Sequence, residues 1–167
     1  AYLRQAGYNV KLRDLSIEMF NRVNADKKNL FLDAGSQNIW VEENSYLEEI
    51  RPLIAPFIDL WSLQILKEKP DVLGFSVLSS NLFASLELAK KIKKLRPQLK
   101  IIFGGPAVTR YDKGFGGIEH EDIDFVVTDE GEESALELID NISFRAKLSY
   151  RLKYPFQRDK RKEHNKF

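Results

Sequence analysis

Apolar residues change their spacing several times along this chain, and each change predicts an element. Ala1–Ala6 reads as the end of a helix, with Gly7 as its C-cap, where a left-handed backbone costs little. Tyr8, Val10 and Leu12 then alternate with polar residues, which predicts a short strand ending at Asp14. Leu15–Val23 has the spacing of a short helix, and 29–33 and 39–41 are apolar patches on either side of Ala34-Gly35-Ser36. From 44 to 68 the helical period is clear at Leu47, Ile50, Ile54, Ile58, Trp61 and Ile65. Pro52 and Pro56 are expected to divide or kink this helix. Asn44 or Ser45 is its expected N-cap, with Glu48 completing a capping box from Ser45.

Beyond residue 70 the pattern becomes βα. Val72-Leu73-Gly74-Phe75-Ser76-Val77 is a continuous apolar run, as in a parallel strand buried on both faces. Ser79-Ser80-Asn81 offers caps for a helix over Leu82–Leu95, whose lysines lie toward solvent and which Pro97 stops. Lys100–Phe103 is the next strand, followed by Gly104-Gly105-Pro106. A less regular stretch holds Gly114, Gly116 and Gly117, and Ile123–Thr128 makes a further strand. Asp129-Glu130-Gly131-Glu132 leads into a helix over Glu133–Asn141. Strand, helix, strand, turn, strand, helix predicts an α/β fold with right-handed crossovers. Its carboxyl-end loops, 76–81, 104–108 and 128–133, gather on one edge, where such sheets bind ligands.

After Asn141 the period falls to two: Ile142, Phe144, Ala146, Leu148, Tyr150, Leu152, Tyr154 and Phe156 alternate with mostly Arg, Lys or Ser. This predicts an edge or antiparallel strand, or else a linker to another domain. The chain therefore divides into an α/β domain over 1–141, clearest over 69–139, and a strand-like segment with a basic tail over 142–167. The formal net charge of +1 hides this division. Residues 145–167 hold nine Lys/Arg against Asp159 and Glu163, a local charge of +7, so the preceding 144 residues carry −6. Such asymmetry sometimes marks nucleic-acid contact. No stacking platform accompanies it, and the expected reading is a solvated terminus.

The 167 residues, 43% hydrophobic and 31% charged, read as one soluble domain with a core of its own. No apolar run reaches the roughly 18 residues of a transmembrane helix and no signal-peptide pattern opens the chain, so a cytoplasmic location is expected. The start at Ala1 reads as processing or as a piece of something longer. The absence of cysteine excludes a disulfide scaffold, thiolate zinc sites, Cys-ligated iron–sulfur clusters and a Cys nucleophile.

Candidate chemistry lies in the three loops. Gly104 and Gly105 allow a tight turn and a close ligand approach. The motif is neither a Walker A loop nor a dinucleotide fingerprint. Ser76, Ser79, Ser80 and Asn81 stand where a helix begins; they suit N-capping and also suit holding a phosphate or amide group. Asp129, Glu130, Glu132 and Glu133 suit the positive end of a helix dipole better than a metal. His120 and His164 have no metal-ligand spacing and no acid–base partner, and no nucleophile elbow or response-regulator acid cluster is visible.

Several segments in order resemble the cobalamin (B12)-binding domain of B12-dependent radical SAM enzymes. They are Lys69–Ser76, Ala89–Lys93 with Arg96-Pro97, Ile102–Ala107 and Ile123–Glu133; at the front, Ala1–Val10 looks like that domain's first helix end and second strand. The resemblance implies a flavodoxin-like, Rossmann-like sheet whose first strand is missing. It places cobalamin against Ser76, Ser79, Ser80, Asn81, Gly104, Gly105, Pro106, Glu130, Gly131 and Glu132. It implies a partner radical SAM barrel carrying the iron–sulfur cluster and S-adenosylmethionine, which this cysteine-free chain does not contain. Asp129 stands where the family usually has glycine, and the Asp-x-His-x-x-Gly motif that would ligate cobalt is absent. On this reading the chain binds cobalamin and is not catalytic by itself. The alternatives are a flavodoxin-like structural or protein-interaction domain that has lost its cofactor, and a small-molecule enzyme on a similar sheet.

Overall fold

A computed structural model describes residues 2–33, 36–108, 120–128 and 131–145. The amino-terminal part is helical. Helix α1 spans Tyr2–Gln5 and ends at Gly7, whose φ of +90° fits the predicted C-cap. Residues 8–14 form no strand and join no sheet. They instead tie helices together: the Tyr8 hydroxyl donates to Asp140, Lys11 pairs with Glu68, and Arg13 donates to Glu18 and Gln64. Asp14 caps α2 (Leu15–Arg22) by accepting the Ile17 N–H at 2.9 Å.

Short helices α3 (Asn29–Leu32), α4 (Gln37–Val41) and α5 (Glu43–Ser45) follow. The cap of α5 is Glu42, not Asn44 or Ser45. Its carboxylate accepts the Ser45 N–H at 2.7 Å and the Asn44 N–H at 3.2 Å. These bonds hold the Glu42 carboxyl below the usual range, the Ser45 hydroxyl contributing most. A π-helical turn, Tyr46–Ile50, leads directly into α6 (Arg51–Lys67). The 44–68 stretch is divided just before Pro52, where the π turn gives way to α6, whereas Pro56 lies inside α6 without ending it. Pro52, which has no N–H to donate into the π turn, stands in the first turn of α6, and Pro56 lies on its exposed side.

The sheet is β1 (Val72–Ser76), β2 (Lys100–Gly104) and β3 (Phe125–Val127), all parallel, in the order β1-β2-β3. Helix α7 (Leu82–Leu95) joins β1 to β2, and α8 (Gly131–Arg145) follows β3. Because side chains alternate along a strand, Leu73, Phe75, Ile101, Phe103 and Val126 share one face. That face meets α6 and α7 in a core containing Ile54, Ile58, Trp61, Ile65, Leu88, Ala89 and Ile92. The Phe75 and Phe103 rings stand 4.9 Å apart within it. The opposite face, with Val72, Ile102, Phe125 and Val127, meets Leu138, Ile139 and Ile142 of α8. A parallel sheet with helices on both faces is a flavodoxin-like α/β fold.

Helix α8 extends four residues past Asn141, so the alternation starting at Ile142 begins inside a helix. The rest of that alternating stretch and the basic tail, 146–167, lie outside the described residues.

Candidate functional site

The strand register builds the carboxyl edge. Ser76 pairs with Gly104, and Gly104 with Val127, so three strand ends finish at one level. The β1–α7 loop closes over this edge through Asn81. Its side chain accepts the Leu78 N–H at 2.9 Å and donates to the Ser76 carbonyl at 3.2 Å. Asn81 therefore spends its amide on the loop itself. Ser79, Ser80 and Asn81 form a single 3-10 turn ahead of α7, with Ser79 half-buried and Ser80 exposed. Ser76 is exposed at the end of β1.

The β2 turn is held as tightly. The Val77 N–H donates to the Gly104 carbonyl at 2.7 Å, and the Ala107 N–H donates to the Val77 carbonyl at 3.1 Å. Gly105 has φ +108°, and a Cβ there would lie 2.8 Å from the Val77 oxygen and 2.9 Å from its nitrogen. Glycine is required at 105 because the chain passes against its own backbone. At Gly104 a Cβ would meet the Val127 oxygen at 3.5 Å, an ordinary contact. Pro106 is exposed, whereas Ala107 and Val108 are buried.

Gly131 opens α8, where a Cβ would meet the Val127 side chain at 3.4 Å, and Glu132 is exposed in the first turn, at the favourable end of the helix dipole. Both line a cavity of about 510 Å³ together with Ala135, Val10 and Tyr2–Gln5 of α1. Glu130 lies outside the described residues. The fold thus brings the other nine predicted residues to one edge, and it gives Asn81 and Gly105 structural tasks there.

A polar centre that the sequence reading passed over lies at the opposite end of the sheet. Asp124, just before β3, accepts from Lys93 at 2.5 Å, Lys100 at 3.0 Å and the Ile101 N–H at 2.9 Å. Lys93 also donates to the Leu99 carbonyl at 2.8 Å, and its side chain and that of Asp124 are each 12% exposed. These bonds fasten α7, β2 and β3 together. No local sequence signal marks them, because the partners are up to 31 residues apart.

His120 faces Asp122 at 3.3 Å and lines a cavity of about 200 Å³ with Tyr46, Phe83, Glu87 and Lys90. Burial raises the Tyr46 phenol above its ordinary range, and the charge of Glu87 adds to the effect. Glu18, near Trp61, is held low chiefly by its hydrogen bond from Arg13. Among the described residues no group of three or more His, Cys, Asp or Glu is placed to hold a metal ion. No described helix is long and apolar enough to cross a membrane.

Compared with known proteins, residues 62–139 match the family model of the B12 binding domain. The match runs from the second half of α6 through the sheet into α8 and includes all three loops of the carboxyl edge. No curated protein and no solved structure matches the chain.

Proposed function

We propose that this chain is a cobalamin-binding module that holds its cofactor across the carboxyl edge of the sheet and performs no catalysis alone. The observation that carries this reading is the B12-binding-domain match over 62–139, which ends inside α8 and spans every loop of that edge. The groups at this edge suit a ligand held by its periphery: exposed or half-buried hydroxyls at Ser76, Ser79 and Ser80, the exposed Pro106 of the β2 turn, and the exposed carboxylate of Glu132, with Glu130 two positions before it in sequence. Neither histidine lies in these loops, so no protein ligand to cobalt is assigned. When bound, cobalamin supplies methyl-transfer chemistry; the side chains named here bind and orient it. A radical SAM barrel is the proposed partner. The cluster cysteines and S-adenosylmethionine site belong to it, because the 167 residues contain no cysteine.

A second reading has its own support. Asn81 and Gly105 are both explained by the fold without any ligand. On that reading the edge is a structural remnant and the domain serves protein interaction.

Mixing the purified chain with hydroxocobalamin and passing it over gel filtration separates the two. Retained corrin absorbance is expected, and it should be lost in Ser76→Trp, whose side chain would fill the edge, with the thermal melt unchanged. Corrin that elutes entirely free from the unsubstituted chain favours the second reading.

A further inference from the structure

We propose that the outer stripe of α6 is a contact surface between two copies of this chain, which pair antiparallel about a twofold axis at Leu63. The inference does not depend on cobalamin. It starts from the composition of one helix. Ile54, Ile58, Trp61 and Ile65 of α6 are buried in the main core. On its outer side Pro52, Ala55, Pro56, Leu60 and Leu63 are exposed, Leu60 by 39% and Leu63 by 62%. A helix that faces water carries charge on that side, as α7 does with Lys90 and Lys94. A helix apolar on both sides is suited to being covered on both.

The stripe is continuous. Pro52, Pro56, Leu60 and Leu63 follow one another at steps of four, four and three, so they lie along one side of the helix over about 16 Å. Two further exposed apolar residues, Leu12 and Ile17, stand beside it, since their neighbours Arg13 and Glu18 bond Gln64 and Trp61 of α6.

Charge then selects the occupant. From Pro52 to Lys67 the charged residues of α6 are Asp59 and Lys67, both exposed. Asp59 stands four residues before Leu63 and Lys67 four after it. A second copy laid antiparallel, Leu63 against Leu63, therefore sets each Asp59 level with the other copy's Lys67, and both pairs form together. A parallel copy in register would set acid on acid and base on base. Matching itself in this way is what a twofold interface requires of one surface. Asp59 also pairs with Lys91 of α7 at 2.7 Å, but its side chain is 65% exposed, which leaves room for a second cation. Leu60 would then lie along the stem of the opposing Lys67.

One helix from each copy makes a small interface, below about 1,200 Å², in the range of weak complexes, so association is expected between micromolar and millimolar concentrations. Sedimentation equilibrium of the full chain from about 5 μM to about 1 mM reads it directly. A reversible dimer is expected. Leu63→Glu, which sets two carboxylates together at the axis, should weaken it by about tenfold or more, with the circular dichroism and the melt unchanged because Leu63 is exposed. Charge reversal gives a readout that loss of apolar surface does not move. Asp59→Lys and Lys67→Glu should each weaken the dimer by about threefold, and the two together should restore it. Because the chain has no cysteine, Leu63→Cys should cross-link to itself between copies on oxidation, and Lys94→Cys, exposed on α7, should not. A chain that stays monomeric throughout overturns the proposal and leaves the stripe to water or to another segment of the chain. A dimer that survives Leu63→Glu overturns it by placing the contact on a different surface. A double reversal that fails to restore association overturns the antiparallel pairing.

Discussion

The two faces of the sheet are built to different standards. On the α6–α7 side, among the described residues, eighteen buried residues form one continuous cluster; on the α8 side the buried cluster has three, Ile102, Val127 and Leu138. The cause lies in the strands. β1 sends Leu73 and Phe75 to the first face and Val72, Gly74 and Ser76 to the second. Phe103 and Ile101 of β2 are 0% exposed on the first face, while Gly104 ends the second without a side chain. Apolar burial is the main stabilising term, so the first face holds the fold together. The second is left with room over Gly74, where a Cβ would meet nothing within 4 Å.

This contrast can be broken by paired substitutions. Phe103→Ala should cost about 3–5 kcal/mol, and Ile102→Ala, on the neighbouring residue of the same strand, only about 2 kcal/mol. Urea midpoints at constant slope measure both. Equal costs would mean that the two faces are equally packed. The next largest contrast lies in the β2 turn. Gly105→Ala combines a positive φ with a clash against the Val77 backbone and should destabilise by about 2–4 kcal/mol. Gly104→Ala, at 3.5 Å from its nearest neighbour, should change stability by less than about 1 kcal/mol. Corrin retention measured on both variants then separates the two roles. A loss in Gly104→Ala with an unchanged melt belongs to the ligand; a loss in Gly105→Ala accompanies a loosened turn.

At the amino end of the sheet the contrast is between polar and apolar fastening. Asp124→Asn keeps the shape but removes the charge shared by Lys93 and Lys100, and should cost about 1–3 kcal/mol. The Lys93→Met variant and the double substitution complete a cycle. Coupling below about 0.5 kcal/mol would show that the cluster is surface decoration, not a lock.

Much of this was legible in the sequence wherever the signal was local. The parallel strand from Val72 to Ser76, the amphipathic helix 82–95 and the glycine turn after Phe103 each form where their spacing predicts, although Gly74 and Ser76 are exposed and the strand is not buried on both faces as its apolar run implies. The failures share one cause, a partner the local pattern does not name. Tyr8, Val10 and Leu12 alternate like a strand, yet alternation specifies a face and not a neighbour, and among the described residues no strand lies beside them. Glu42 won the cap because its longer side chain reaches two amides and the Ser45 hydroxyl at once. Gly105 reads as a ligand glycine until the Val77 backbone is seen behind it. Asp124 reads as one more polar residue until Lys93 and Lys100 are brought to it by the fold.

The smallest expected effect tests the openness of the second face most directly. Gly74 sits inside a strand with ordinary backbone angles, so a side chain there carries no strain, and a Cβ would touch nothing within 4 Å. Glycine costs a strand interior conformational entropy in the unfolded chain and offers nothing to pack. Gly74→Ala should therefore be neutral or stabilise by up to about 0.5 kcal/mol, read as a small rise in melting temperature. A loss above about 1 kcal/mol would instead require atoms stacked on the face over Gly74, and the room assigned to the second face would then be filled.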